Sequence, residues 1–239
     1  MMEEMNRSLI PAGWKSIYYN PLESPADTQA FRMEGDGAVS FPQGRMRLES
    51  TRDPAEGQLA NLVYWCPDDF PADLAIAWDF WPVREPGLAI LFFNAQGTGG
   101  EDLFDPALAS RCGIYDQYHH GDMNAFHISY FRRRYMEERQ LHTCNLRKSY
   151  GFHLVAQGAD PIPGVTDAAG PYRMLIVKMG SSVSFAVNGL TLFRWEDDGS
   201  TYGPLLKEGK IGFRQMAPLI AEYANLHIYA PSGFATMRR

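Results

Sequence analysis

The sequence predicts an all-β fold, a jelly-roll sandwich of two antiparallel sheets, and three observations carry that reading. The segments between turns alternate apolar and polar residues with period two, turn residues recur at short intervals from end to end, and helix signals are nearly absent. About a dozen short strands with almost no helix leave, by the rules of layer packing, a sandwich or a barrel. The 239 residues fit one such domain, 1–239, because all-β sandwiches commonly run to roughly 200–250 residues. No repeat, low-complexity stretch or linker interrupts them.

The elements follow in chain order. Strands are expected near 45–49 and 59–66. In the next, Leu74, Ile76, Trp78 and Phe80 share one face while Asp73, Ala75, Ala77 and Asp79 share the other, which marks a half-buried strand. After a strand at 88–94, Asp105 as N-cap, Pro106 at the first helical position, 107–112 as the body and Gly113 as the stop predict one short helix. Along 125–133, Phe126, Ile128 and Tyr130 face the core, and His127, Ser129, Phe131 and Arg133 the other side. Alternation then sets Thr143, Asn145 and Arg147 against Cys144, Leu146 and Lys148. Strands near 152–156 and 172–179 precede a hairpin in which Asn188-Gly189 supplies the positive φ angles of a type I′ turn between Val187 and Leu190. Strands at 210–216 and 223–230 close the chain.

Composition narrows the function classes. A hydrophobic fraction of 45%, with 13% aromatic residues, is that of a folded chain with enough apolar area to offset its entropy. A net charge of −6, from 22 basic against 28 acidic residues, repels a phosphate backbone, so nucleic acid is not an expected partner. Cys66, Cys112 and Cys144 are odd in number and lack CxxC spacing, which suits reduced thiols. The opening residues, with Glu3 and Glu4 before a short Leu9-Ile10 pair, hold no run long enough for a signal sequence or a membrane span, so the expected location is cytoplasmic.

Four runs in the middle of the chain carry a resemblance: Phe80-Trp81-Pro82, Gly113-Ile114-Tyr115-Asp116-Gln117-Tyr118-His119-His120-Gly121-Asp122, His127-Ile128-Ser129-Tyr130-Phe131-Arg132-Arg133 and Asn145-Leu146-Arg147-Lys148-Ser149-Tyr150-Gly151-Phe152. With the closing Gly209-Lys210-Ile211-Gly212-Phe213-Arg214-Gln215-Met216 and Tyr223-Ala224-Asn225-Leu226, they resemble the YesU-like family of uncharacterised bacterial proteins over roughly residues 60–230. The resemblance implies a concanavalin A-like lectin and glucanase sandwich, whose concave sheet commonly holds sugars, and an association with pectin-type polysaccharide use. It supplies no activity, so the site must be argued from its own residues.

The loop 115–122 packs two tyrosines, two histidines and two carboxylates into eight residues, a density that few structural loops need. Tyr115 and Tyr118 could stack on pyranose faces, and His119 could move a proton near neutral pH. On the non-core side of the neighbouring strands, His127 and Ser129 offer imidazole and hydroxyl. Arg147 with Asn145 suits a uronate carboxylate, and Arg214 faces away from the core with a similar group. Asp79 and Trp81 complete the expected groove. The plain alternatives are lid packing for the tyrosines, a solvated sheet face, and internal ion pairs for the arginines.

Hydrolysis of a glycoside needs two carboxyl groups about 5–9.5 Å apart. The E-x-D-x-x-E strand run of sandwich glucanases is missing, since Glu34-Gly35-Asp36 and Glu196-Asp197-Asp198 lack the last acid. β-Elimination from a uronate finds its groups: Arg147 with Asn145 or Arg214 for the carboxylate, His127 or His119 as base, Tyr115 or Tyr130 as acid. The expected function is therefore processing of a plant-type oligosaccharide, such as one that contains uronate, by a lyase or a hydrolase in this groove; the alternatives are a lectin without turnover, or a structural protein using the face as an oligomer seam. Gly97-Thr98-Gly99-Gly100 leads into Glu101 and Asp102, which would repel phosphate, and the Glu101, Asp102 and Asp105 spacing matches no calcium loop. Arg132-Arg133-Arg134 before Glu137-Glu138 is a solvated rim. Adjacent His119-His120 would point to opposite sides of an extended chain, so no metal and no cofactor is expected. The expected partner is an oligosaccharide, with no membrane.

Overall fold

The computed structural model describes residues 8–232, so the ends of the expected 1–239 domain, 1–7 and 233–239, lie outside the described residues. The described strands are β1 (Trp14–Asn20), β2 (Arg32–Glu34), β3 (Gly37–Ser40), β4 (Met46–Ser50), β5 (Leu62–Trp65), β6 (Leu74–Arg84), β7 (Leu88–Gly97) and β8 (Met123–Tyr130). There follow β9 (Thr143–Lys148), β10 (His153–Ala159), β11 (Tyr172–Met179), β12 (Ser182–Val187), β13 (Leu190–Glu196), β14 (Lys210–Met216) and β15 (Ile220–Pro231). A helix of six residues, α1 (Met136–Leu141), sits between β8 and β9. The strands form two antiparallel sheets. The eight-stranded sheet runs β13-β12-β11-β6-β15-β4-β3 with β1 beside β15, and the seven-stranded sheet runs β10-β9-β8-β7-β14-β5-β2.

The period-two faces meet where alternation puts them. Leu74, Ile76, Trp78 and Phe80 of β6 pack against Leu91 and Phe93 of β7 and Phe126, Ile128 and Tyr130 of β8 in one buried core between the sheets. Trp78 Nε1 donates to the Tyr130 hydroxyl at 3.3 Å, so the core's polar edges are used internally. Each large side chain removed from water contributes roughly 1.5–3 kcal/mol. Lys148, on the core side of β9, donates to Asp197 beyond β13 at 2.7 Å and ties the two sheets together. At one flank β10 runs so close to β13 that a Cβ on Gly158 would lie 2.5 Å from the Leu192 carbonyl oxygen.

Two expectations change. Residues 106–112 form one turn followed by irregular chain, not a helix. Asp105 does cap Ala107 N at 2.8 Å, but the Asp122 carboxylate then takes Ala109 N, and the Arg111 guanidinium binds Glu34 at 2.9 Å and Leu103 O at 2.8 Å. Those bonds pull the segment flat across the sheet before a second helical turn closes. Phe131 points into the core and not away from it, because β8 ends at Tyr130 and Phe131 takes a left-handed φ of 48° that reverses its direction. The hairpin stands as expected, with φ of 51° at Asn188 and 79° at Gly189.

Candidate functional site

Cross-strand register collects polar groups on the outward face of the seven-stranded sheet. His127 pairs with Arg147 and Ser129 with Asn145 across β8 and β9, while Asn145 pairs with Gln157 across β9 and β10. On the other side Ile90 of β7 separates Ser129 from Arg214 of β14. The same register carries Phe92 beside His127.

The loop 98–122 covers the part of this face over β5 and β7. Leu103 and Tyr118 are buried on Val63, Trp65, Ile90 and Phe92, with Phe104 and Tyr115 packed against them. Gly113 makes the pivot. Its φ of 92° and the Asn61 carbonyl oxygen, 2.0 Å from where a Cβ would stand, leave no room for a side chain. The Gly113 N–H donates to the Tyr118 hydroxyl at 3.0 Å, and its carbonyl accepts from Arg214 Nη1 at 2.7 Å. The chain then enters a 3-10 turn, Tyr115–Tyr118, that lays the Tyr115 ring over His127 with centroids 5.6 Å apart.

Beside that lid the face is open. The Arg147 guanidinium lies 3.6 Å over the ring of Phe152, itself 43% exposed, and Nη1 donates to the Phe152 carbonyl at 3.0 Å. Phe152 also packs against His119 at 4.7 Å and edge-on to Tyr115 at 5.6 Å. Gln157 Nε2 donates to Asn145 at 2.8 Å, and Arg132 binds Thr143 Oγ1 at 2.6 Å and Glu138 at 2.8 Å. Arg214 stacks on Tyr115 at 4.7 Å, Arg147 meets it through Phe152, and Arg132 acts on it electrostatically. Among the described residues only Arg132 has a carboxylate partner, so the recess is electropositive within a protein of net charge −6.

Burial pushes the Tyr115 phenol up to about 12, although all three arginines pull it down. His127 is held well below its ordinary range by burial first, then by His119, Arg147 and Arg214, and neither ring nitrogen has a protein partner. His119 is brought down to about 4, chiefly by burial and then by His120. Both imidazoles are therefore neutral near pH 7.

The expected single groove divides in two. Asp79 and Trp81 belong to β6, and their side of β6 is the outward face of the eight-stranded sheet, across the core from the other candidates. Asp79 accepts from Asn225 at 2.8 Å inside a wide recess of about 940 Å³ that also involves Trp14, Tyr19 and Arg173. Trp81 lies under the Arg45 guanidinium at 4.3 Å. Tyr118 is fully buried and packs on Phe92, so it holds the loop down and has no face left for a sugar. Arg214 is likewise fully buried, clamped by Gly113 and stacked on Tyr115, and Arg133 forms a buried pair with Asp160 at 3.1 Å. His127, 1% exposed, lies beneath the lid. Tyr115, His119, Ser129, Asn145 and Arg147 do converge. Sequence reasoning missed Phe152, Gln157 and Arg132. Phe152 closes the Asn145-to-Phe152 run, but a register shift between Leu154 and Ala156 hides which residues of β10 face Arg147 and Asn145.

Fold and face together define a galectin-like, concanavalin A-like sandwich with a polar, aromatic-edged recess on one sheet. Its structure is similar to that of a protein of unknown function with a galectin-like fold from Bacillus subtilis, at 51% identity and a TM-score of 0.87, covering 91% of this chain and 99% of that one. The sequence is 53% identical over 213 residues to the uncharacterised protein YesU of Bacillus subtilis strain 168, covering 89% of this chain and 94% of YesU. Residues 15–228 match the family model DUF1961, a domain of unknown function, and the chain belongs to that family. More remote likenesses show the fold alone. The carbohydrate recognition domain of Emp47p superposes with a TM-score of 0.57 at 12% identity, covering 92% of this chain and 98% of that one. A β-1,3-1,4-glucanase (lichenase) derived from a mouse hindgut metagenome gives 0.58 at 14%, covering 90% and 98%.

Proposed function

We propose that the protein binds an acidic oligosaccharide in a lectin-like manner on the outward face of β8, β9 and β10, with Arg147 holding a sugar carboxylate. The observation that carries this reading is the Arg147 guanidinium, half-buried on Phe152, with one N–H given to a carbonyl and no carboxylate partner among the described residues. A uronate carboxylate matches the paired donors that remain, and the exposed edge of Phe152 offers apolar area to the sugar ring. Asn145 and Gln157 supply amide groups for hydroxyls beside it.

Binding fits this face better than hydrolysis. The acids of the lid loop and of α1 are already engaged, Glu138 by Arg132, Asp122 by Ala109 N, and Asp116 by His120. Calorimetric titration with galacturonate-containing and neutral oligosaccharides, with mass spectrometry of the mixtures, tests the reading. Saturable binding of the acidic set that Arg147→Ala removes and Arg173→Ala leaves intact is the expected result. Loss on Arg173→Ala instead would move the site to the other sheet, and a new unsaturated product would make the face a lyase.

A further inference from the structure

Adjacent histidines diverge on an extended chain, but the chain at His119-His120 is not extended. The turn Tyr115–Tyr118 ends with the N–H groups of both His119 and His120 directed to the Asp116 carbonyl, at 3.2 and 2.8 Å. That tight return folds both rings toward the Asp116 side chain. His119 Nδ1 lies 2.9 Å from His120 Nδ1, which lies 2.9 Å from Asp116 Oδ1, and the third edge, from His119 Nδ1 to Asp116 Oδ1, is 3.8 Å.

His120 Nδ1 carries at most one hydrogen, so protons hold this triangle only when that hydrogen is shared between the Asp116 carboxylate and a lone pair on His119 Nδ1. A cation at the centre engages all three atoms directly. An ion at the roughly 2.0–2.2 Å that zinc keeps to imidazole nitrogen and carboxylate oxygen can touch every corner of a triangle of these dimensions.

We propose that Asp116, His119 and His120 form a binding site for a divalent transition-metal ion of the zinc class. Two imidazoles and one carboxylate favour such an ion over calcium or magnesium, which take oxygen ligands. Three protein ligands leave coordination positions for water or for an oxygen of a bound molecule. The His119 ring, 4.7 Å from Phe152 and 4.8 Å from Tyr115, places the ion on the rim of the Arg147 recess. The metal site stands without the sugar reading, because the metal alone is the probe.

Full-length protein stripped with a chelator and dialysed is titrated with Zn²⁺ by calorimetry and with Co²⁺ by visible absorption. The expected result is one equivalent per chain with ligand-field bands for Co²⁺. His120→Ala and Asp116→Ala each weaken uptake at least tenfold, the scale on which even outer-shell partners of metal ligands act. Both side chains are exposed, 45% and 73%, so the metal-free variants keep the parent's circular dichroism and melting temperature. Absence of stoichiometric uptake, or uptake that both substitutions leave unchanged, would overturn the assignment.

Discussion

At the scale of single residues, the site rests on Arg147 and its neighbours. A hydrogen bond to a charged group contributes about 1.5–3 kcal/mol, so Arg147→Ala is expected to weaken binding of an acidic oligosaccharide tenfold or more while leaving the melting temperature nearly unchanged. Arg147→Lys keeps the charge but loses the planar pair of donors and the stacking on Phe152, so titration should place it between the two. Tyr118 behaves in the opposite way. It is fully buried against Phe92 and Trp65, and Tyr118→Ala should cost about 3–5 kcal/mol in urea denaturation, the range of large aromatic truncations in cores. His127 adds a pH dependence. It stays neutral in the fold, while the unfolded chain takes up a proton near pH 6.5, so acidification favours the unfolded chain. The stability of chelator-treated protein is full above that pH and should fall below it, by up to about 1.4 kcal/mol per pH unit for this one group. His127→Leu should flatten that slope.

At the scale of elements, alternation read the strands because it reports which side of a pleat a residue occupies, and β6, β8 and β9 place their residues as expected until Phe131 turns over. The pairing of His127 with Arg147 and Ser129 with Asn145 followed from that periodicity. Sheet membership did not. Nothing in the residues of β6 says that it joins β11 and β15 while β7, only a short loop later, joins β14 and β8, and so Asp79 and Trp81 were expected in a groove that faces the other way. The lost helix has a similar cause: its end signals are local, but Asp122 and Glu34, which divert it, are distant in sequence. The loop that replaces it hinges on Gly113. Gly113→Ala would force its new methyl into Asn61 and strain a left-handed residue, so it should lower stability by more than about 1 kcal/mol. It should also loosen Tyr115, which limited proteolysis of the loop would show.

For the whole molecule, two sheets share one core and each turns an outward face to the surroundings. The Lys148 to Asp197 pair joins them where β9 approaches the end of β13, and both side chains are nearly inaccessible, at 1% and 2%. Removing one partner leaves a buried charge, so Lys148→Ala should cost about 3–5 kcal/mol, and Lys148→Met with Asp197→Leu should recover most of it in the same denaturation experiment. The flank beside that pair has a further meaning, set by the missing side chain of Gly158. Sandwiches leave the outermost strand of each sheet with free amide and carbonyl groups, which invite strands of other molecules. Here the outermost strands of both sheets, β10 and β13, press against each other at Gly158 and Leu192, so that side of the protein is closed to strand addition by its own backbone. Self-association through sheet extension is thereby directed to the far side, where β2 and β3 are only three and four residues long and β1, seven residues paired to β15 alone, is the longest edge that remains.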